Sequence, residues 1–268
     1  MADTVRHVCG ISGGKDSTAL AIYMRDRVPE MEYFFCDTGA ELKETYEYID
    51  RVEVFLGKPV QRLTPERDFD HWLQIFGNYL PSSRMRWCTR KLKIEPFEKF
   101  VGSDQVISYV GIRADEDRDG YISTKPNITP AFPFREDGIR LNDVYRILEE
   151  SGLGIPKYYE WRSRSGCYFC FFQRKAEWAG LKERHPDDFE RAKAYEKLDT
   201  ITGERFTWNQ KESLDELATP ERLKEIWSKH EKMMTSASKV KPGDSLFNIL
   251  GAALDEEDDT EPCTICSL

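Results

Sequence analysis

The stretch "VCGISGGKDSTAL", residues 8–20, sets two glycines, a lysine, an aspartate and two serines between a strand-like run and a helix-like run. The strand-like part, VRHVCGIS (5–12), is short, rich in β-branched residues and ended by glycine, which reads as a buried strand. The part that follows, DSTALAIYMRDRV (16–28), carries apolar residues at helical spacing. The turn between them has the composition of a phosphate cradle. Gly13 and Gly14 permit backbone conformations closed to other residues and let amides approach a ligand. The start of a helix adds unpaired N–H donors and the positive end of a dipole. Ser12 and Ser17 can donate to phosphate oxygens, and Lys15 supplies charge. Asp16 would repel a bare phosphate, so its presence implies Mg²⁺ bridging carboxylate and pyrophosphate. The competing reading is a glycine turn with a capping aspartate. The spacing GxxxxGK[ST] of the Walker loop is absent.

Working outward, MEYFFCD (31–37), PVQRL (59–63) and QVISYVGI (105–112) read as further strands. ELKETYEYIDRVEVFLG (41–57), DFDHWLQIFG (68–77) and RKLKIEPFEKFV (90–101) read as helices, the last kinked or divided at Pro96. Strands alternating with helices predict a doubly wound parallel α/β sheet of about five strands, covered on both faces. Past residue 113 the stretch RADEDRDGYISTKPNITPAFPF reads as loop. LNDVYRILEESG (141–152) is a helix, 176–198 is two helices parted at Pro186, and TPERLKEIWSKHEKMM (219–234) is a helix with a Thr cap and an early Pro. The predicted organisation is 1–140 as the nucleotide-binding α/β domain, 141–234 as a helical cysteine-bearing segment packed on it, and 235–268 as linker and acidic tail.

The chain has 268 residues and a net charge of −9, and six of its acids lie in DEEDDTE (255–261), so the remainder carries about −3. Basic residues gather in SRMRWCTRKLK (83–93) and WRSRSGCYFCFFQRK (161–175), which are either solvated faces or a phosphate-binding surface. No apolar run approaches the length of a membrane span, and MADTVRH lacks a hydrophobic signal region, so the expectation is a soluble, cytoplasmic protein without membrane contact.

Seven cysteines in such a chain do not suggest a disulfide scaffold. Cys9 and Cys36 lie inside strand-like runs and read as core. Cys167 and Cys170 form a CxxC pair, and Cys88 could converge with them; three thiolates suit a 4Fe–4S cluster with one open iron, or zinc. Tyr168, Phe169, Phe171 and Phe172 would shield such a site or simply fill core. Cys263 and Cys266 could complete a zinc site, carry a persulfide or belong to an unstructured end.

SGGKDS (12–17) resembles the PP-loop of the ATP pyrophosphatases. CDTGAELKETYEYI (36–49), RWCTRKLKIEPF (86–97), GIRADEDRDG (111–120) and SGCYFC (165–170) are similar to segments of the phosphoadenosine phosphosulfate (PAPS) reductase-like branch. The resemblance covers roughly residues 5–198 and implies an adenine nucleotide alpha hydrolase-like, Rossmann-like fold. It implies ATP and Mg²⁺ on residues 12–17, adenylation of a substrate oxygen with release of pyrophosphate, and sulfur transfer. Lys15, Asp16 and Arg113 are the implied catalytic residues, and Asp37 and Thr38 the implied adenosine contacts, with a helix cap as their alternative reading. Glu116 and Arg118 follow Arg113 in the loop, Glu41 and Glu44 read as first-turn acids, and Arg162 and Arg164 as phosphate contacts or a surface face. Two features depart from true PAPS reductases: the complete SGGKDS, and a tail reading EPCTICSL where those have a Glu-Cys-Gly type end. Within the superfamily the chain resembles the DndC and SspD type of DNA phosphorothioation, an anti-phage modification. That implies DNA as substrate, a cysteine desulfurase as sulfur donor and other DNA modification proteins as partners. A tRNA-thiolating enzyme, a sulfonucleotide reductase and a non-catalytic nucleotide-binding adaptor are the alternatives.

Overall fold

A computed structural model describes residues 5–117, 123–198, 205–209 and 211–237. Arg118, the acidic run 255–261, Cys263 and Cys266 lie outside the described residues. The described chain divides into two compact units, residues 5–78 with 85–168, and residues 79–84 with 169 onward.

The first unit opens with β1 (Arg6–Gly10), α1 (Lys15–Met24), β2 (Glu32–Cys36), α2 (Lys43–Leu56) and β3 (Val60–Leu63). It continues with α3 (Phe69–Ile75), α4 (Trp87–Thr89), α5 (Glu95–Val101), β4 (Val106–Tyr109), β5 (Ile128–Ala131), α6 (Pro133–Glu136) and α7 (Leu141–Glu150). The strands form one five-stranded sheet in the order β3-β2-β1-β4-β5, and every pairing is parallel. This is the doubly wound α/β fold of Rossmann-like type that the alternation predicts. Side chains alternate across the sheet as the two-residue strand period requires. Cys9, Tyr33 and Phe35 pack with Leu20, Ile49, Val52, Val144 and Leu148 on the side of α1, α2 and α7. Val8, Phe34, Cys36 and Val106 pack with Ile94, Phe97 and Val101 on the side of α5. Helix α7, which the sequence assigns to the segment 141–234, is thus built into this core.

Two elements differ from the sequence reading. Strand β5 lies inside the stretch read as loop. It has four residues and contains Pro130, which is tolerated because β5 is the sheet's edge. Pro96 does not break its helix. The turn Arg90–Ile94 ahead of it widens to a π-helix, with the Glu95 N–H bonding the Arg90 carbonyl, and α5 follows with proline in its first turn.

The second unit holds α8 (Lys175–Arg184), α9 (Pro186–Lys193), the antiparallel pair β6 (Lys197–Leu198) and β7 (Arg205–Phe206), α10 (Leu214–Leu217) and α11 (Pro220–Ala237). Phe169 stacks on Trp208 at 5.5 Å between ring centres, and Trp208 Nε1 donates to the Ala192 carbonyl at 2.8 Å. Glu196 accepts the backbone N–H groups of Trp208 and Leu214 at 3.0 and 2.7 Å. Among the described residues no helix is long and apolar enough to cross a membrane.

Candidate functional site

The loop after β1 lies beside the point where the strand order reverses. β1 has β2 on one side and β4 on the other, and ligands of open α/β sheets bind outside the strand ends at such a point. Both glycines of the loop are closely approached by side chains, and Gly13 is also left-handed. Gly13 has φ +76°, and a Cβ there would stand 2.7 Å from Thr45 Cγ2. Gly14 has an ordinary φ, but its Cβ would stand 2.9 Å from Ser165 Oγ. Gly14 is also the N-cap of α1 and offers no side-chain cap; the Lys15 N–H is met instead by the Tyr159 hydroxyl at 3.1 Å.

The two serines hold the loop shut on itself. The Ser12 N–H donates to Ser17 Oγ at 3.1 Å, and the Ser17 hydroxyl donates to the Gly14 carbonyl at 3.2 Å. Ser165 Oγ lies 3.2 Å from Ser12 Oγ. Ser17, at 3% exposure, braces the loop from within.

The charged residues meet at the mouth of the loop. Asp16 accepts from Lys15 Nζ at 3.0 Å on one oxygen and from Arg113 Nη1 at 2.6 Å on the other. Arg113 also reaches Asp115 at 2.9 Å and Glu116 at 2.9 Å. Burial opposes the Arg113 charge, but Asp16, Glu116 and Asp115 outweigh it and hold its pKa above the ordinary value. Arg113 arrives from the end of β4, and the approach is close: a Cβ on Gly111 would stand 3.0 Å from the Asp16 carbonyl oxygen. The structure therefore brings Ser12, Gly13, Gly14, Lys15, Asp16, Ser17 and Arg113 together.

Asp37 and Thr38 follow β2, but neither caps a helix: the N-cap of α2 is Leu42. Asp37 accepts from the Gly39 N–H at 2.9 Å and from the Tyr46 hydroxyl at 2.7 Å. The Thr38 hydroxyl donates to Glu41 Oε1 at 2.8 Å, and Cys167 Sγ lies 3.1 Å from the same hydroxyl. Glu41 is not in the first turn of α2. It is a buried carboxyl whose pKa burial raises, against the pull of Lys93 and the Thr38 hydrogen bond. Glu41 and Cys167 also form a backbone bridge, and the Tyr168 N–H donates to the Ala40 carbonyl at 2.8 Å.

Arg162 does not reach outward to a phosphate. It is 3% exposed and donates to the carbonyls of Gly166 and Cys167 at 3.0 and 2.7 Å, fixing the turn that carries the cysteine. Cys9 and Cys36 are core residues as read, and burial pushes each thiol up to about 12. Among the described residues no group of three or more His, Cys, Asp or Glu side chains is placed to hold a metal ion. Cys88 and Cys167 belong to the first unit and Cys170 to the second. Mg²⁺ is a different case. It is commonly held by one or two carboxylates together with phosphate oxygens, and Asp16 at the loop mouth supplies such a carboxylate.

Sequence reading missed Tyr158, Tyr159, Ser165 and Gly111. Their partners lie far away in sequence, as with Tyr158 and Gly13, 145 residues apart, so no local spacing marks them.

Fold and site together define a Rossmann-like α/β domain with a glycine-rich loop at its topological switch point. Residues 6–127 match the model of the phosphoadenosine phosphosulfate reductase domain. Two uncharacterized proteins of Methanocaldococcus jannaschii are each 29% identical over 194 residues, covering 67% and 66% of this chain. The chain spans only 39% and 44% of those relatives' lengths. An uncharacterized 37.8 kDa protein of Escherichia phage 186 is 25% identical over 266 residues, covering 74% of this chain and 76% of its own. Among solved structures, PAPS reductase from Candida auris, a phosphate complex, aligns with TM-score 0.49 and 14% identity over 62% of this chain and 83% of its own. The U34-tRNA thiolase NcsA from Methanococcus maripaludis, with its 4Fe–4S cluster, aligns with TM-score 0.43 and 14% identity over 72% and 71%.

Proposed function

We propose that this protein is a PP-loop ATP pyrophosphatase that adenylates an oxygen of a DNA backbone phosphate so that sulfur can replace it. The observation that carries the reading is the loop itself: a left-handed Gly13 and a Gly14 closely approached by Ser165, opening a helix whose N-cap has no side chain, with Lys15, Asp16 and Arg113 at its mouth. Backbone amides and two cations directed at one point suit a polyphosphate.

In this mechanism the loop amides and Lys15 bind the β and γ phosphates. Asp37 and Thr38, at the end of the neighbouring strand, lie on the adenosine side. Asp16 would hold Mg²⁺, which neutralises charge on the departing pyrophosphate. In the present arrangement both Asp16 oxygens are taken by cations. A polyphosphate, with more charge, draws Lys15 and Arg113 onto itself and releases the carboxylate for the metal. The substrate oxygen attacks the α phosphorus, the α–β bridging bond breaks, and pyrophosphate leaves with the bonding pair. A phosphate oxygen is already anionic, so no general base is needed. The terminal sulfur of a persulfide, from a donor such as a cysteine desulfurase, then displaces AMP; a second thiol attacks the donor sulfur of the resulting S–S bond, forming a disulfide and leaving the phosphorothioate. The protein contributes mainly position and charge.

Anaerobic incubation with ATP, a cysteine desulfurase and either DNA or tRNA, followed by nuclease digestion and mass spectrometry, tests this. Phosphorothioate dinucleotides from DNA are the expected product. Thiolated nucleosides from tRNA alone, or reduction of PAPS without pyrophosphate release, would replace the DNA reading.

A further inference from the structure

Two adjacent tyrosines, from the 3-10 turn Lys157–Glu160, take hold of the phosphate loop at two successive places. The Tyr158 hydroxyl donates to the Gly13 carbonyl at 2.7 Å. The Tyr159 hydroxyl accepts the backbone N–H of Lys15 at 3.1 Å. Their rings stack at 4.9 Å, and Tyr158 is 1% exposed, so the pair is held as one piece.

The two contacts have opposite meanings for a phosphate. The described residues contain no cis peptide, and a trans peptide carries its carbonyl and the following N–H on opposite sides. Drawing the Gly13 carbonyl toward Tyr158 therefore turns the Gly14 N–H away from the buried ring. A Gly-Gly peptide is otherwise among the easiest to flip. Tyr158 selects the orientation in which the Gly14 amide faces out. Tyr159 acts on the first amide of α1, one of the donors a bound phosphate uses, and its oxygen already stands there. The same ring lies 5.3 Å from Lys15 Nζ, which keeps that cation back beside it.

We propose that Tyr158 and Tyr159 set the nucleotide affinity of the loop in opposite senses. Tyr158 is a positioning residue that pre-forms the cradle. Tyr159 is a built-in competitor that holds the Lys15 amide until a phosphate oxygen displaces it. A charged oxygen makes the stronger hydrogen bond, so displacement is downhill but lowers affinity. This inference rests on the proposed function only in placing a polyphosphate on residues 12–17.

The test is calorimetric titration of the full chain with α,β-methylene-ATP and, separately, with inorganic pyrophosphate, for wild type, Tyr158→Phe and Tyr159→Phe. One buried hydrogen bond corresponds to roughly a threefold to tenfold change in Kd. Tyr158→Phe is expected to bind both probes that much more weakly, and Tyr159→Phe about threefold or more tightly. Should Tyr158→Phe fail to fold, the half-buried Tyr159→Phe carries the sign alone. Equal or weaker binding by Tyr159→Phe overturns the competitor role, and an unchanged Kd in a folded Tyr158→Phe overturns the positioning role. A wild type that binds neither probe overturns the polyphosphate reading and this inference with it. Binding by wild type that both variants share unchanged overturns only the tyrosine pair.

Discussion

At Gly13 the chain adopts φ +76° with Thr45 Cγ2 only 2.7 Å from where a Cβ would be. At Gly39 φ is +73°, yet nothing lies within 4 Å. The pair separates backbone strain from crowding. Gly39→Ala should lose about 1 kcal/mol of stability, from the left-handed backbone alone. Gly13→Ala should lose about 2–3 kcal/mol, because Thr45 must also move. Denaturant unfolding of the two variants measures the difference, and equal losses would mean that the crowding at Thr45 relaxes freely. The buried thiols give a second residue-scale outcome. With Cys9 and Cys36 pushed up to about 12, almost no thiolate exists at pH 8, so iodoacetamide should leave both unmodified in the native protein. Peptide mass spectrometry checks this, and rapid labelling of either would contradict the burial. The core role of these two cysteines was legible, since each sits in a strand-like apolar run. The role of Arg162 was not. Its guanidinium turns inward to two carbonyls, and an arginine beside a CxxC pair looks the same in sequence whichever way it points.

At the scale of elements, the second unit carries a charge staple. Glu212 makes a two-pronged pair with Arg222 at 2.8 and 2.9 Å and accepts from Lys175 at 2.7 Å, joining the start of α8 to α11. The hydrogen bonds from Arg222, opposed by burial and aided by Lys175, lower its pKa from 4.5 to about 2. A depressed carboxyl contributes stability above its unfolded pKa and loses it as pH falls through the folded one. Glu212→Gln should therefore cost about 1–2 kcal/mol at pH 7, after allowance for partial solvent screening. The gap to wild type should close as pH drops from 4.5 toward 2. Melting curves across that range test the sign; a gap that widens in acid would refute it. Elements were legible where period and punctuation agree: α2, for instance, ends at Gly57 with φ +64°, as a glycine after an amphipathic run suggests. Strand β5 was not legible, because four residues containing a proline carry no period. Nor was the π-turn before Pro96, which is one way for a helix to absorb a proline's missing donor.

For the whole molecule, the sequence overstates the basic surface. In the first cluster Arg90 pairs with Glu98 at 3.2 Å and Lys91 with Glu95 at 2.8 Å, and in the second Arg162 is buried. With a net charge of −9, the chain alone should bind DNA weakly, with Kd near or above roughly 100 µM at physiological salt. Fluorescence anisotropy checks this, and micromolar binding without partners would contradict it. The loop was readable because strand, glycines and helix start are contiguous between residues 8 and 20. Of what surrounds it, Arg113 was named through the family resemblance, but Tyr158, Tyr159 and Ser165 were not, because they reach the loop only through the return of the chain past α7. The most direct test of the central claim is Mg²⁺-dependent conversion of α-labelled ATP, with DNA or tRNA present, for wild type and Asp16→Ala. Wild type should release AMP or an adenylated product together with pyrophosphate, and Asp16→Ala should be at least about 100-fold slower. Release of ADP and orthophosphate, or pyrophosphate release at an undiminished rate in Asp16→Ala, would contradict it.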